Sequence, residues 1–142
     1  MQPLRVFGCA LVVALLPLAS GAAEGFEIVA HRDVPVDRMS RGELARLFMK
    51  KQIEWSNGMA VAPVDQSTVS MVRAAFTQDV HEQKTSAIAA YWQKQIFSGR
   101  GVPPTIRDSD SEVLAFVGAT PGAIGYVAAG VPTEGVKTIA LD

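Results

Sequence analysis

The stretch Asp65-Gln66-Ser67-Thr68-Val69-Ser70 sets three hydroxyls where an apolar, strand-like run gives way to a helix-like one. A junction of that kind invites an anion, because the free backbone N–H groups and the positive end of the helix dipole both point at it. Arg73, one turn further on, adds a charged donor of the type that grips oxyanions. Ser67, Thr68, Ser70 and Arg73 are therefore the candidate binding residues, and phosphate or another small anion is the ligand they would suit. The same hydroxyls have a plainer reading, in which Ser67 or Thr68 caps the helix and does nothing else. Both readings stay open in the sequence.

Other chemistry is sparse. A metal site needs clustered His, Cys, Asp or Glu at ligand spacing. Here Cys9 lies near the amino terminus, and His31 and His81 stand far apart with no ligand motif beside them. No metal and no cofactor is expected. A serine hydrolase triad assembles in space, but the G-x-S-x-G elbow that would mark one is absent. So is the phosphate loop G-x-x-x-x-G-K-[ST]. Gly99-Arg100-Gly101 reads as a helix stop whose arginine could still meet an anion. Phe76, Tyr91, Trp92 and Phe97, at helical spacing among aliphatic residues, read as core. No enzyme activity is expected.

The elements that must hold the candidate turn follow from periodicity. Phe26–Ala30 is a β-favouring run. Ser40 and Glu43 form a capping box, with Met39 and Leu44 at the staple positions, and open a helix that buries Leu44, Leu47 and Phe48. That helix ends near Lys50 and Lys51. Trp55-Ser56-Asn57-Gly58 is a turn, with Trp55 placed to cover the first helix, and it leads to a strand from Met59 to Val64. A helix over Thr68–Val80 carries Val69, Val72, Phe76 and Val80 on one stripe. A second, over Ser86–Phe97, carries Ile88, Trp92 and Ile96. Ser98 to Pro104 stops it. Ser109 and Glu112 make a second capping box for a helix that buries Val113, Leu114 and Val117. After the Pro121-Gly122 turn, Ala123–Ala128 is a buried strand and Val136–Leu141 a closing one. Strands interleaved with helices imply an α/β layer fold.

The amino terminus has the order of a secretory leader. Arg5 precedes an apolar run from Val6 to Leu18, and a small-residue stretch follows, with cleavage expected after Ala22 or Ala23. The run is shorter than the roughly 20 apolar residues a bilayer span needs. Cys9 belongs to that run rather than to a lipid anchor. Residues 1–23 are thus the expected signal peptide and 24–142 a single cysteine-free domain in the periplasm or outside the cell, without membrane insertion once the leader is gone. Its formal charge, 12 basic residues against 14 acidic, is about −2, which argues against nucleic acid as a partner.

Four stretches taken together resemble a known family: ELARLFMKKQIEW (Glu43–Trp55), SMVRAAF (Ser70–Phe76), YWQKQIFSGRGVPP (Tyr91–Pro104) and EVLAFVGATPGAIGYV (Glu112–Val127). They are similar to the small substrate-binding-like proteins of phosphate ABC importers, in the type II periplasmic-binding-protein superfamily. The resemblance implies a mixed sheet flanked by helices, a single lobe of that fold, with ligand at its strand-to-helix loops. It also implies that the lobe is the one that supplies an arginine and a Ser-Gly-Thr motif to phosphate. Matching Phe76 to the phenylalanine after that motif puts its positions on Ser70, Met71 and Val72, and the arginine position near Gln66. Only Ser70 keeps the family residue; that Arg73 compensates for the missing arginine is an expectation from its spacing alone. Two functions follow as expectations. One is a non-catalytic solute-binding domain that serves an importer's membrane component. The other is a half-size lobe that has lost its ligand and binds another periplasmic protein.

Overall fold

The computed structural model describes residues 25–142; the leader, its cleavage point and Cys9 lie outside them. Within them the chain runs β1 (Phe26–Ala30), β2 (Arg38–Met39), α1 (Arg41–Phe48), β3 (Ala62–Gln66), α2 (Met71–His81), α3 (Thr85–Phe97), β4 (Thr105–Arg107), α4 (Asp110–Ala119), β5 (Ala123–Ala128) and β6 (Lys137–Leu141). The strands form one six-stranded mixed sheet in the order β2-β6-β1-β5-β3-β4. β1 runs antiparallel to both of its neighbours, and the other five strands share one direction. Their carboxyl ends therefore gather at one edge of the sheet. β3 delivers the chain to α2 at that edge, and β4 delivers it to α4.

Alternation along the central strands splits the core in two. Ile28 and Ala30 of β1 join Ile124 and Tyr126 of β5 on one face, under Leu44, Leu47 and Phe48 of α1 and Phe76 and Val80 of α2. Val29, Ala123 and Val127 face the other way with Val64, against Val113 and Val117 of α4. The α/β fold with helices on both faces matches the sequence-based expectation. Gly125 has no room for a side chain, since a Cβ there would lie 2.6 Å from Val64 Cγ1 and 3.0 Å from Val113 Cγ1.

Several boundaries differ from those expected, each for a visible reason. β3 covers Ala62–Gln66 instead of Met59–Val64, because Met59 and Ala60 belong to a hairpin that closes through Trp55 N–H to the Met59 carbonyl (2.8 Å) and a Glu54–Ala60 bridge. α2 starts at Met71 with Ser70 as its N-cap, so Val69 falls outside the helix and is 88% exposed. Phe97 is not core: in the last turn of α3 it lies about 140° round the helix from buried Trp92 and is 92% exposed. The two short strands β2 and β4 carry too few residues for a periodicity to show. The Ser40–Glu43 capping box is present in full. At α4 Ser109 accepts from the Glu112 amide, but the Glu112 carboxylate reaches past the cap to the Asp108 N–H (2.9 Å).

Trp55 is buried against α1, and its indole N–H donates to the Gly122 carbonyl (2.9 Å), which also accepts from Ala62 N–H (3.1 Å). Gly122 sits at φ +81°, and a Cβ there would collide with the Ala60 carbonyl. Gly122→Ala should therefore cost at least about 2 kcal/mol, combining left-handed strain with a backbone clash. Urea unfolding of the two proteins measures it.

Candidate functional site

Asp65 and Gln66 are adjacent at the end of β3, so their side chains leave on opposite faces of the sheet. Both are buried. Asp65 meets the Tyr126 hydroxyl, which donates to its Oδ1, and Tyr126 in turn accepts from the Gln66 backbone N–H (3.0 Å). Phe76 of α2 stacks on the Tyr126 ring, with centroids 4.0 Å apart. Gln66 reaches the α4 side, where its Nε2 donates to Asp110 Oδ1 (2.8 Å) and to the Tyr126 carbonyl (3.1 Å). Its Oε1 accepts from the Ser70 hydroxyl (2.8 Å). One glutamine thus ties the opening of α2 to the opening of α4.

Arg73 completes the network from above. It is only 3% exposed; Nη1 donates to the Gln66 carbonyl (2.8 Å), and Nε lies 3.5 Å from Asp65 Oδ1. Nε has no hydrogen-bond partner among the described residues. Burial pushes the Asp65 carboxyl above its ordinary range, against the opposing pull of the Arg73 charge and the Tyr126 and Gln66 donors. The Tyr126 hydroxyl is pushed up as well, first by burial and then by the Asp65 charge.

The four candidate residues accordingly separate into two groups. Ser70 and Arg73 are drawn into the interior. The Ser70 Oγ accepts from the Arg73 amide (3.1 Å) while donating to Gln66, and the Arg73 guanidinium faces an internal counterion. Ser67 and Thr68 stay outside, in the turn before the cap. The Ser67 carbonyl accepts from Ser70 N–H (2.9 Å), and its hydroxyl has only a long contact from Val69 N–H (3.4 Å). The exposed Thr68 hydroxyl and the Met71 and Val72 amides make no hydrogen bond among the described residues. An anion at this turn would meet those two amides, the two outer hydroxyls and the helix dipole.

The roles of Asp65, Gln66, Tyr126 and Asp110 were not visible in the sequence. A polar pair that directly follows an apolar strand run is the one signal that could have suggested a buried network. Arg100 is exposed in the turn after α3, where its amide donates to the Gln95 carbonyl (2.9 Å). His31 Nδ1 accepts from the Asp33 amide (3.1 Å), and His81 packs edge-on against Phe76. Neither histidine hydrogen-bonds a serine or threonine hydroxyl among the described residues, nor do three His, Cys, Asp or Glu side chains gather there as a metal site would need.

With this geometry in view, solved structures supply the comparison. The chain is similar to a Clostridium perfringens protein assigned as a phosphate ABC transporter substrate-binding protein and solved with bound phosphate; identity is 18%, TM-score 0.65, covering 83% of this chain and 45% of that one. It is similar to an ABC-type phosphate transport receptor from Vibrio cholerae, with 20% identity, TM-score 0.65, and coverage of 82% and 46%. PstS from Borrelia burgdorferi follows at 10% identity, TM-score 0.59, and coverage of 83% and 47%. The chain spans about half the length of each and has the fold of one lobe. No family model and no curated protein matches the sequence.

Two outcomes follow from the network. Gln66→Leu should cost about 1–3 kcal/mol in unfolding free energy, because it removes the bonds to Ser70 Oγ, Asp110 Oδ1 and the Tyr126 carbonyl at a partly buried junction. Asp110 Oδ1 keeps the Ala128 amide, and Ser70 Oγ the Arg73 amide. His81 gives a pH signature. Burial, and then the Arg73 charge, hold its imidazole down to about 4 from 6.5. Between those values the unfolded chain takes up a proton that the folded one refuses, so acidification through that window lowers stability. Asp65, pushed the other way, works against this trend in wild type and variant alike. Denaturation across the window should therefore show His81→Gln losing less stability on acidification than the wild type.

Proposed function

We propose that the chain is an exported, non-catalytic solute-binding-type domain whose ligand is a small oxyanion, phosphate or sulfate, held at the turn Ser67–Val72. The observation that carries this reading is the open start of α2. An 11-residue helix begins at the carboxyl edge of the sheet with two free amides and an unengaged threonine hydroxyl. In open α/β sheets that edge is where ligands bind. The fold of one lobe of phosphate-binding proteins supports it, as does the leader expected in residues 1–23. The natural partner of such a domain is the membrane component of an ABC importer.

In this reading Ser67 and Thr68 supply hydroxyls, Ser70 fixes the cap, and Arg73 holds the helix start from behind. Because the guanidinium already faces Asp65, binding rests on amides, hydroxyls and the dipole, and its dissociation constant should fall in the millimolar range. Calorimetric titration of residues 25–142, which contain every described element, with phosphate and with sulfate tests this. Weak saturable heat that Thr68→Ala diminishes is expected. No heat at millimolar anion and moderate ionic strength would overturn it.

The closed Asp65–Arg73 pair favours a second reading, a lobe without ligand that serves as an interaction module. Val69 and Met71, 88% and 87% exposed beside the turn, add apolar surface that a partner would cover. Absence of anion binding together with specific recovery of one periplasmic partner, lost on Val69→Ser, would decide for this reading.

A further inference from the structure

From Lys84 to Arg107 the chain carries four basic residues, Lys84, Lys94, Arg100 and Arg107, and no acidic one. The formal charge of about −2 over residues 24–142 hides this stretch, because the acidic residues lie elsewhere in the chain. The same stretch carries the exposed apolar residues at the end of α3: Phe97 at 92%, Val102 at 64% and Ile96 at 53%. Ile96 and Val102 line one shallow groove with Arg100. Lys94 stands three residues before Phe97, hence on the same helix face.

Hydrogen bonds close the last turn of α3 and fix how the tip is presented. Ser98 N–H donates to the Lys94 carbonyl (3.1 Å), Gly99 N–H to Ile96 (3.1 Å) and Arg100 N–H to Gln95 (2.9 Å). The Ser98 hydroxyl adds bonds to the Lys94 carbonyl (2.8 Å) and the Gln95 carbonyl (3.3 Å). Pro103 and Pro104 have no N–H to leave unpaired.

We propose that Ile96, Phe97 and Val102, flanked by Lys94 and Arg100, form a peripheral docking tip for an anionic phospholipid surface. The apolar side chains enter the boundary region and the cations stay with the phosphates, without any membrane span. The pairing of exposed apolar groups with same-sign charge selects this occupant: each cation near an anionic leaflet adds attraction that a neutral leaflet does not. The proposal stands apart from anion binding at α2, which uses other residues.

Flotation of residues 25–142 with vesicles of phosphatidylglycerol or of phosphatidylcholine tests it. At low ionic strength the protein should float with phosphatidylglycerol and not with phosphatidylcholine, and added salt should release it. Phe97→Ser, and separately Lys94→Gln with Arg100→Gln, should each weaken vesicle association by about fivefold or more. These positions are exposed, so circular dichroism should stay unchanged. Failure of the wild type to float with phosphatidylglycerol would overturn the proposal and leave a protein partner as the occupant. Equal flotation with both lipids, or undiminished binding by Phe97→Ser, would overturn it as well.

Discussion

Asp65, Arg73 and Tyr126 meet on one face of the sheet, and removing any one of them strands polar atoms of the others in an apolar core. A carboxylate and a guanidinium this deeply buried lose most of their hydration, and each tolerates burial only because the other is there. The pair therefore constrains its surroundings. β3 must end where Asp65 can reach Arg73, α2 must open one turn before Arg73, and Tyr126 must lie flat under Phe76 to bring its hydroxyl to the carboxylate. Gln66 extends the constraint across the sheet, since its amide group holds the starts of α2 and α4 in fixed relation.

That architecture has a functional consequence. The edge of the sheet where an open α/β fold binds ligands is rigidly built, but its most potent anion-binding group already has an internal partner. What remains for a ligand is the backbone at Met71 and Val72 with the outer hydroxyls, groups that favour small oxyanions without a strong hold on any one of them. Exposed apolar residues include Val69 and Met71 within this same turn and Phe97 at the far end of α3.

The layered α/β architecture was legible because its signals are local. The Ser40–Glu43 box, the Phe26–Ala30 and Ala123–Ala128 runs and the stop after Phe97 each depend on a few adjacent residues. The site was half legible. Composition and spacing placed a helix start near Ser67–Ser70, but not which hydroxyl caps it. That depends on Gln66 accepting from Ser70, a side chain whose other bonds lie 44 and 60 residues away. Arg73 read as a free cation for the same reason, because its counterion eight residues earlier looked like the first residue of a loop. Asp65 is strand and buried, and no apolar period marks such a position. Phe97 misled in the opposite sense. It reads as core beside Tyr91 and Trp92, but it lies about 180° round α3 from Ile88, on the face away from the buried stripe.

The claim that Asp65 and Arg73 close on each other inside the core is open to a direct measurement, a double-mutant cycle of Asp65→Asn and Arg73→Met read by equilibrium unfolding. Each single change should cost about 3–5 kcal/mol, and the double variant should recover at least about 2 kcal/mol of their sum. Single costs that add to within about 0.5 kcal/mol would mean that the two groups act independently. The guanidinium would then be available to a ligand, contrary to this account.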